Sequence, residues 1–175
     1  MKELKVNLFN SKEDRVETSI ELSKFNIFVG NDFMNINRIM LKSRKNKLLA
    51  THTLLGSEAE VSYHKKLAYK ITKRYYSDDL KCKQVVISTN SQFILYAFNN
   101  LIFNYIVKDK MPADLRNEMT CKDLMIDPKD IRIYQVEDGI VSRIQNKDGL
   151  IEHNCFDNEM SIIMNDFYKM IDYYV

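Results

Sequence analysis

The chain has 175 residues, with 26 Lys and Arg against 24 Asp and Glu, for a formal charge of +2. That length is one domain's worth and buries a real core, while the near balance of charge argues against a nucleic-acid binder acting through bulk positive charge. Its apolar runs are only a few residues long, far short of the roughly 20 that span a bilayer, and the N-terminus shows no signal peptide. Cys82, Cys121 and Cys155 form no C-x-x-C pair, so neither a disulfide framework nor a four-cysteine zinc site is expected; a reducing, cytoplasmic setting fits.

In chain order, Leu4, Val6 and Leu8 alternate with polar residues, as do Val16, Thr18, Ile20 and Leu22 beyond the polar stretch 10–14. This predicts an antiparallel hairpin with one buried face. A strand over 25–29 ends at Gly30. A helix over 33–43 follows, with Phe33, Ile36, Ile39 and Met40 inward, then a buried strand over 48–55. Val61, His64, Leu67, Ala68, Ile71 and Tyr75 share one helical face. The apolar run 85–89 is a strand, and 92–101 is a helix. Alternation of strand and helix points to an α/β sheet with parallel strands. Residues 108–130 carry both prolines and read as a loop with one short helix. Asp138-Gly139, between apolar segments 131–136 and 140–144, is a type I′ hairpin signal, and Asp148-Gly149 precedes a third short strand. A final amphipathic helix carries Phe156, Met160, Ile163, Met164, Phe167, Met170, Ile171 and Tyr174 on one stripe, with Asp157 placed to cap it. The whole chain, 1–175, reads as one domain.

Three segments together carry a family resemblance. LSKFNIFVG (22–30) resembles the strand leading into the P-loop of ABC-type ATPases of the SMC/OLD-like group. LLGSEAEVSYH (54–64) is similar to their Walker B segment, and QVVISTNSQFILYAFNNLI (84–102) to their switch strand; the closing section from Ile131 is similar in style to the tail of these domains. The resemblance implies a minimised head domain. The expected fold is α/β, a P-loop NTPase-like mixed sheet with a parallel core flanked by helices, N-terminal antiparallel strands, and a C-terminal hairpin and helix.

The departures from the family pattern fall on its chemistry. A P-loop surrounds phosphates with backbone N–H groups, neutralises charge with a Lys and holds Mg²⁺ through a Ser/Thr hydroxyl. Counted from Gly30, Asn35 stands at the second Gly, Ile36 at the Lys and Asn37 at the Ser/Thr, with Asp32 adding negative charge. Ser57 replaces the metal-orienting Asp of Walker B, although Glu58 aligns with the catalytic base. Asn90 replaces the switch His between Thr89 and Ser91. Only residues 39–53 separate the P-loop helix from Walker B, so the helical lobe and signature sequence of the family are missing. Phosphoryl transfer needs these parts together, and an isolated Glu58 has no metal or phosphate to act on.

The resemblance and its departures therefore imply a pseudo-ATPase with no cofactor and no metal. Its function would be binding another protein, as a structural component or as a regulator that docks on a true ATPase. Such a stand-alone fragment suits a bacteriophage or mobile element, or a defence system opposing one. Two alternatives stay open: residual ATP binding with Lys42 or Lys45 as a displaced cation, and a weaker nucleic-acid reading through 42–47 and through Lys65, Lys66, Lys70, Lys73 and Arg74. His52, His64 and His153 read as packing or isolated histidines, and Cys82 as an unpaired thiol beside Lys81 and Lys83. Tyr75/Tyr76 and Tyr173/Tyr174 are the expected interface anchors.

Overall fold

The computed structural model describes residues 2–53, 61–76, 84–119, 121–152 and 157. Strands β1 (Lys2–Phe9) and β2 (Arg15–Leu22) form a separate antiparallel pair, with Leu4 opposite Ile20 and Val6 opposite Thr18. The main sheet holds β3 (Phe25–Val29), β4 (Leu49–Thr53), β5 (Val85–Thr89), β6 (Ile131–Glu137) and β7 (Ile140–Arg143), in the spatial order β4-β5-β3-β6-β7. The first four run parallel and β7 is antiparallel at the edge. Helices α1 (Phe33–Lys45), α2 (Val61–Tyr76) and α3 (Gln92–Val107) connect the strands. A short α4 (Ala113–Glu118) and a 3-10 turn (Pro128–Asp130) lead into β6. The expected α/β mixed sheet, N-terminal strand pair and terminal hairpin are therefore present. The expected closing helix lies outside the described residues apart from Asp157, whose carboxylate accepts from the Tyr96 hydroxyl on α3.

The period-two pattern of the strands divides the core into two layers. Phe25, Ile27, Val29, Val85, Ile87, Ile131 and Ile133 face α2 and α3, against Ala68, Tyr75, Ile94, Phe98 and Leu101. Phe28, Val86, Tyr134 and Val136 face the other way, against Ile36, Ile39 and Met40 of α1 and Leu4, Leu8, Ile20 and Leu22 of the hairpin. β3 is paired on both sides and buried at every residue, which explains its unbroken apolar reading apart from Asn26. The Asn26 side chain is fully buried but satisfied. Its Oδ1 accepts from Ser23 N at 2.8 Å, and its Nδ2 donates to the carbonyls of Ser23 and Val85. It fixes the tight β2–β3 connection against the neighbouring strand.

Some boundaries and orientations differ from expectation. Helix α3 continues to Val107 because Leu101, Ile102 and Asn104 extend its buried stripe; Asn104 is accommodated there by donating to the carbonyls of Cys121 and Leu124. Phe33, expected inward, is 48% exposed, because the buried face of α1 begins with Asn35 and Ile36. Tyr75 is not a surface anchor: its ring packs 4.3 Å from that of Phe25, and it is 4% exposed, whereas Tyr76 is 42% exposed. At the β6–β7 turn, Asp138 and Gly139 have φ of 48° and 74°, the type I′ pattern read from their identities.

Gly30 ends β3 with φ +132°, and a Cβ there would lie 2.3 Å from the Val136 carbonyl oxygen. The clash is with strand backbone, which cannot move aside as a flexible side chain can. Gly30→Ala is expected to destabilise the protein by about 3 kcal/mol or more, read as a lowered midpoint in urea unfolding. An unchanged midpoint would mean that β3 and β6 are less closely apposed at Val136 than described.

Candidate functional site

The parallel strands bring two of the three motif segments to one edge of the sheet. Val29 pairs with Thr89, and Thr53 with Thr89 from the other side, so the C-terminal ends of β3, β4 and β5 lie at the same edge. In open α/β sheets that edge is where ligands bind. Gly30, which follows Val29, is thus placed beside the turn of Thr89, Asn90 and Ser91, and Asn35, Ile36 and Asn37 follow in the first turns of α1. Ser57 and Glu58 lie outside the described residues, as do His153, Cys82, Tyr173 and Tyr174.

The turn after β3 is closed by its own side chains. Asp32 is the N-cap of α1, accepting from Asn35 N at 3.2 Å. Its Oδ2 also accepts from the Asn35 side-chain amide at 2.7 Å and from Gly139 N, across the fold, at 3.0 Å. Asn35 is 3% exposed, and its side chain pairs with the backbone of Phe9: Oδ1 accepts from Phe9 N at 2.9 Å, and Nδ2 donates to Phe9 O at 2.6 Å. The β1–β2 turn is further joined to the β6–β7 turn through Ser11, whose N–H and hydroxyl donate to the Asp138 carboxylate. Three turns distant in sequence are therefore tied at the start of α1.

This arrangement has a chemical consequence. A helix N-terminus attracts anions through its free N–H groups and macrodipole, but here a carboxylate of the chain itself takes that place. A phosphate oxygen within about 4 Å of Asp32 would meet roughly 4 kcal/mol of repulsion per unit charge at an intermediate dielectric. Ile36, which the resemblance aligns with the P-loop Lys, is 4% exposed and packs in the hairpin-side core. Asn37 is exposed. Lys42 and Lys45 stand in the last turn of α1, about 15 Å or more along the axis from Asp32 at 1.5 Å per residue, so neither is at the mouth of the turn as a displaced cation.

On the β5 side, Ser91 caps α3 by accepting from Ile94 N at 3.3 Å, while its own N–H donates to Thr89 Oγ1 at 3.1 Å. Thr89 and Ser91 are buried and Asn90 is exposed. The Thr-Asn-Ser triplet thus builds the strand-to-helix turn.

In front of the tied turns lies a groove of about 870 Å³. Phe9, Phe33 and Met34 give it apolar lining, and Glu13, Asp32, Glu137 and Asp138 bring four carboxylates against one cation, Arg38. The Arg38 guanidinium sits over the Phe9 ring, 4.3 Å from its centroid. Sequence reasoning did not anticipate Phe9, Arg38, Glu137 or Asp138 here. Asp138-Gly139 signalled a turn, but nothing local indicated which other turn it would meet.

A smaller cavity of about 360 Å³ lies at Tyr76, Tyr105, Asp123, Asp127 and Asp130. Burial, helped by Asp130 and other nearby groups, pushes the Tyr76 phenol up to about 12. Asp127 is held below the usual carboxylate range: burial works against this, but hydrogen bonds from Lys129 N and the Tyr105 hydroxyl outweigh it. Lys24 closes the side with an ion pair to Asp130 at 2.6 Å. Tyr105 and Asp127, and Lys24 and Asp130, are thus paired around the start of β6. Among the described residues, no cluster of three or more His, Cys, Asp or Glu side chains could hold a metal ion, and no helix is long and apolar enough to cross a membrane. The second basic stretch is spread along α2, where Lys66, Lys70, Lys73 and Arg74 are exposed. No family model matches the chain, and no curated protein or solved structure matches it.

The packing of Ile36 yields a direct test of the turn. Placing a cation there with Ile36→Lys would bury an ammonium in an apolar layer, and is expected to cost about 3 kcal/mol or more without creating nucleotide affinity. Asn35→Ala, which strands the Phe9 N–H and carbonyl, is expected to cost about 2 kcal/mol. Urea unfolding of both variants, with and without Mg·ATP, reads the outcome. A stable Ile36→Lys protein that gains stability with nucleotide would show that the turn can receive phosphate.

Proposed function

We propose that the protein is a catalytically inactive ABC-type ATPase-like head that acts by binding another protein, as a structural component or as a regulator. The observation that carries this reading is the filled N-terminus of α1. Asp32 and Asn35 take up the hydrogen-bonding groups of the turn and bind them to the backbone at Phe9 and Gly139. A triphosphate would have to break those bonds and displace a carboxylate, with Ile36 in place of the neutralising Lys.

What the edge does offer is a groove with exposed apolar side chains, Phe33 and Met34, inside a rim of carboxylates. Apolar and charged groups in that combination suit the side chains of a protein partner better than a polyanion. A bacteriophage or mobile-element setting, or a defence system opposing one, and a cytoplasmic location agree with such a role.

Isothermal titration with Mg·ATP tests it. No heat of binding is expected up to roughly 1 mM nucleotide, corresponding to an interaction weaker than about 4 kcal/mol. Micromolar binding would overturn the reading and return the chain to the nucleotide-dependent class.

A further inference from the structure

Helix α1 carries opposite surfaces at its two ends. At its N-terminus is the groove, where Phe33 and Met34 are 48% and 71% exposed and four carboxylates outnumber Arg38. At its C-terminus Lys42, Arg44 and Lys45 occupy the last turn and Lys47 follows, all exposed. No ion pair engages these four cations among the described residues. Leu41 and Leu49 stand exposed among them at 56% and 40%. The macrodipole favours an acid at one end of a helix and a base at the other, but it does not call for exposed Phe and Met amid the acids, nor for exposed Leu amid the bases. The two ends are complementary both in charge and in apolar surface.

We propose that the basic C-terminal end of α1 from a second copy of this chain occupies the groove at the N-terminal end of α1, so that the protein associates head to tail. The inference rests on the reading above that the groove receives protein rather than triphosphate, and it names the partner. The contact joins two different patches, so a pair of copies still has one free groove, on one copy, and one free basic end, on the other. Assembly then continues into a ring or an open filament instead of stopping at a dimer. The cations meet the rim formed by Glu13 and Glu137, and Leu41 meets Phe33 and Met34. Its charged rim makes the contact sensitive to salt.

Sedimentation velocity over a concentration series tests the proposal with two variants on exposed residues, Lys42→Glu/Lys45→Glu and Glu137→Lys, each checked for folding by circular dichroism. The unaltered protein is expected to grow with concentration beyond twice its 20.7 kDa mass, and to lose association about tenfold or more when salt is raised from roughly 50 to 500 mM. Each variant alone is expected to stay monomeric. The equimolar mixture is expected to form a 1:1 complex and nothing larger, because one variant keeps the groove and the other keeps the basic end. A wild-type protein that remains monomeric throughout, or variants that associate as it does, would overturn head-to-tail association. Such a result leaves the Mg·ATP titration to judge the protein-binding reading separately.

Discussion

The site is organised by the carboxylate of Asp32. It caps α1, holds the amide of Asn35 and accepts the N–H of Gly139; through Asn35 it also fixes the end of β1 at Phe9. One acidic side chain therefore joins the hairpin layer, the first turn of the crossover helix and the turn at the far edge of the sheet. Buried polar groups are costly when only partly satisfied and rigid when fully paired. Asn35, at 3% exposed, illustrates the second case: its amide is bonded at both ends, and it gives Phe9 the pairing that a neighbouring strand would have given.

That network helps to explain why the β1–β2 pair can lie apart from the main sheet. The pair has only two strands, and a two-stranded hairpin is marginal alone in water. Leu4, Leu8, Ile20 and Leu22 bury against Phe28, Ile36, Ile39 and Met40. The hydrogen bonds from Asn35, the Tyr134 hydroxyl donating to Glu21 O and the Arg132–Glu21 ion pair then fix its position over the layer. The ion pair, open to solvent on its Glu21 side, adds little; the apolar burial provides stability and the polar contacts provide register. Ile36 belongs to this layer and has a packing role there, so the helix cannot exchange it freely for a charge.

Much of this architecture was legible from local pattern. The alternation in 4–8 and 16–22, the apolar runs 25–29 and 85–89, and Asp138-Gly139 each act within a few residues, where backbone sterics and side-chain period are decisive. Gly30 at the end of β3 was equally readable, although the reason for it, the Val136 carbonyl, lies on another strand. Orientation at element ends was less legible. Phe33 fits the stripe of Ile36 and Met40 by spacing, yet it lies beyond the start of the buried face and lines the groove instead. Tyr75 and Tyr76 are adjacent and chemically identical, and both rings lie near that of Phe25, but the apolar face of α2 carries only the first into the core. At the site, the sequence showed that residues 30–37 carry no Lys or Arg. Which groups close the turn was not legible, because Asn35 meets Phe9 across 26 residues and Asp32 meets Gly139 across 107.

The closed turn sets the sign of the surface as well as its shape. An open helix N-terminus at this edge would present positive potential, the basis of phosphate binding at such turns. Here Asp32 cancels that potential from within, and Glu13, Glu137 and Asp138 add negative charge in front of it. Arg38 offsets only part of this from its place over Phe9. Fields in clefts bounded by low-dielectric walls are focused outward and select the sign of what approaches. An edge that favours anions in a nucleotide-binding sheet therefore favours cations in this one, and the exposed Phe33 and Met34 give an aliphatic stem beside such a cation a surface on which to pack.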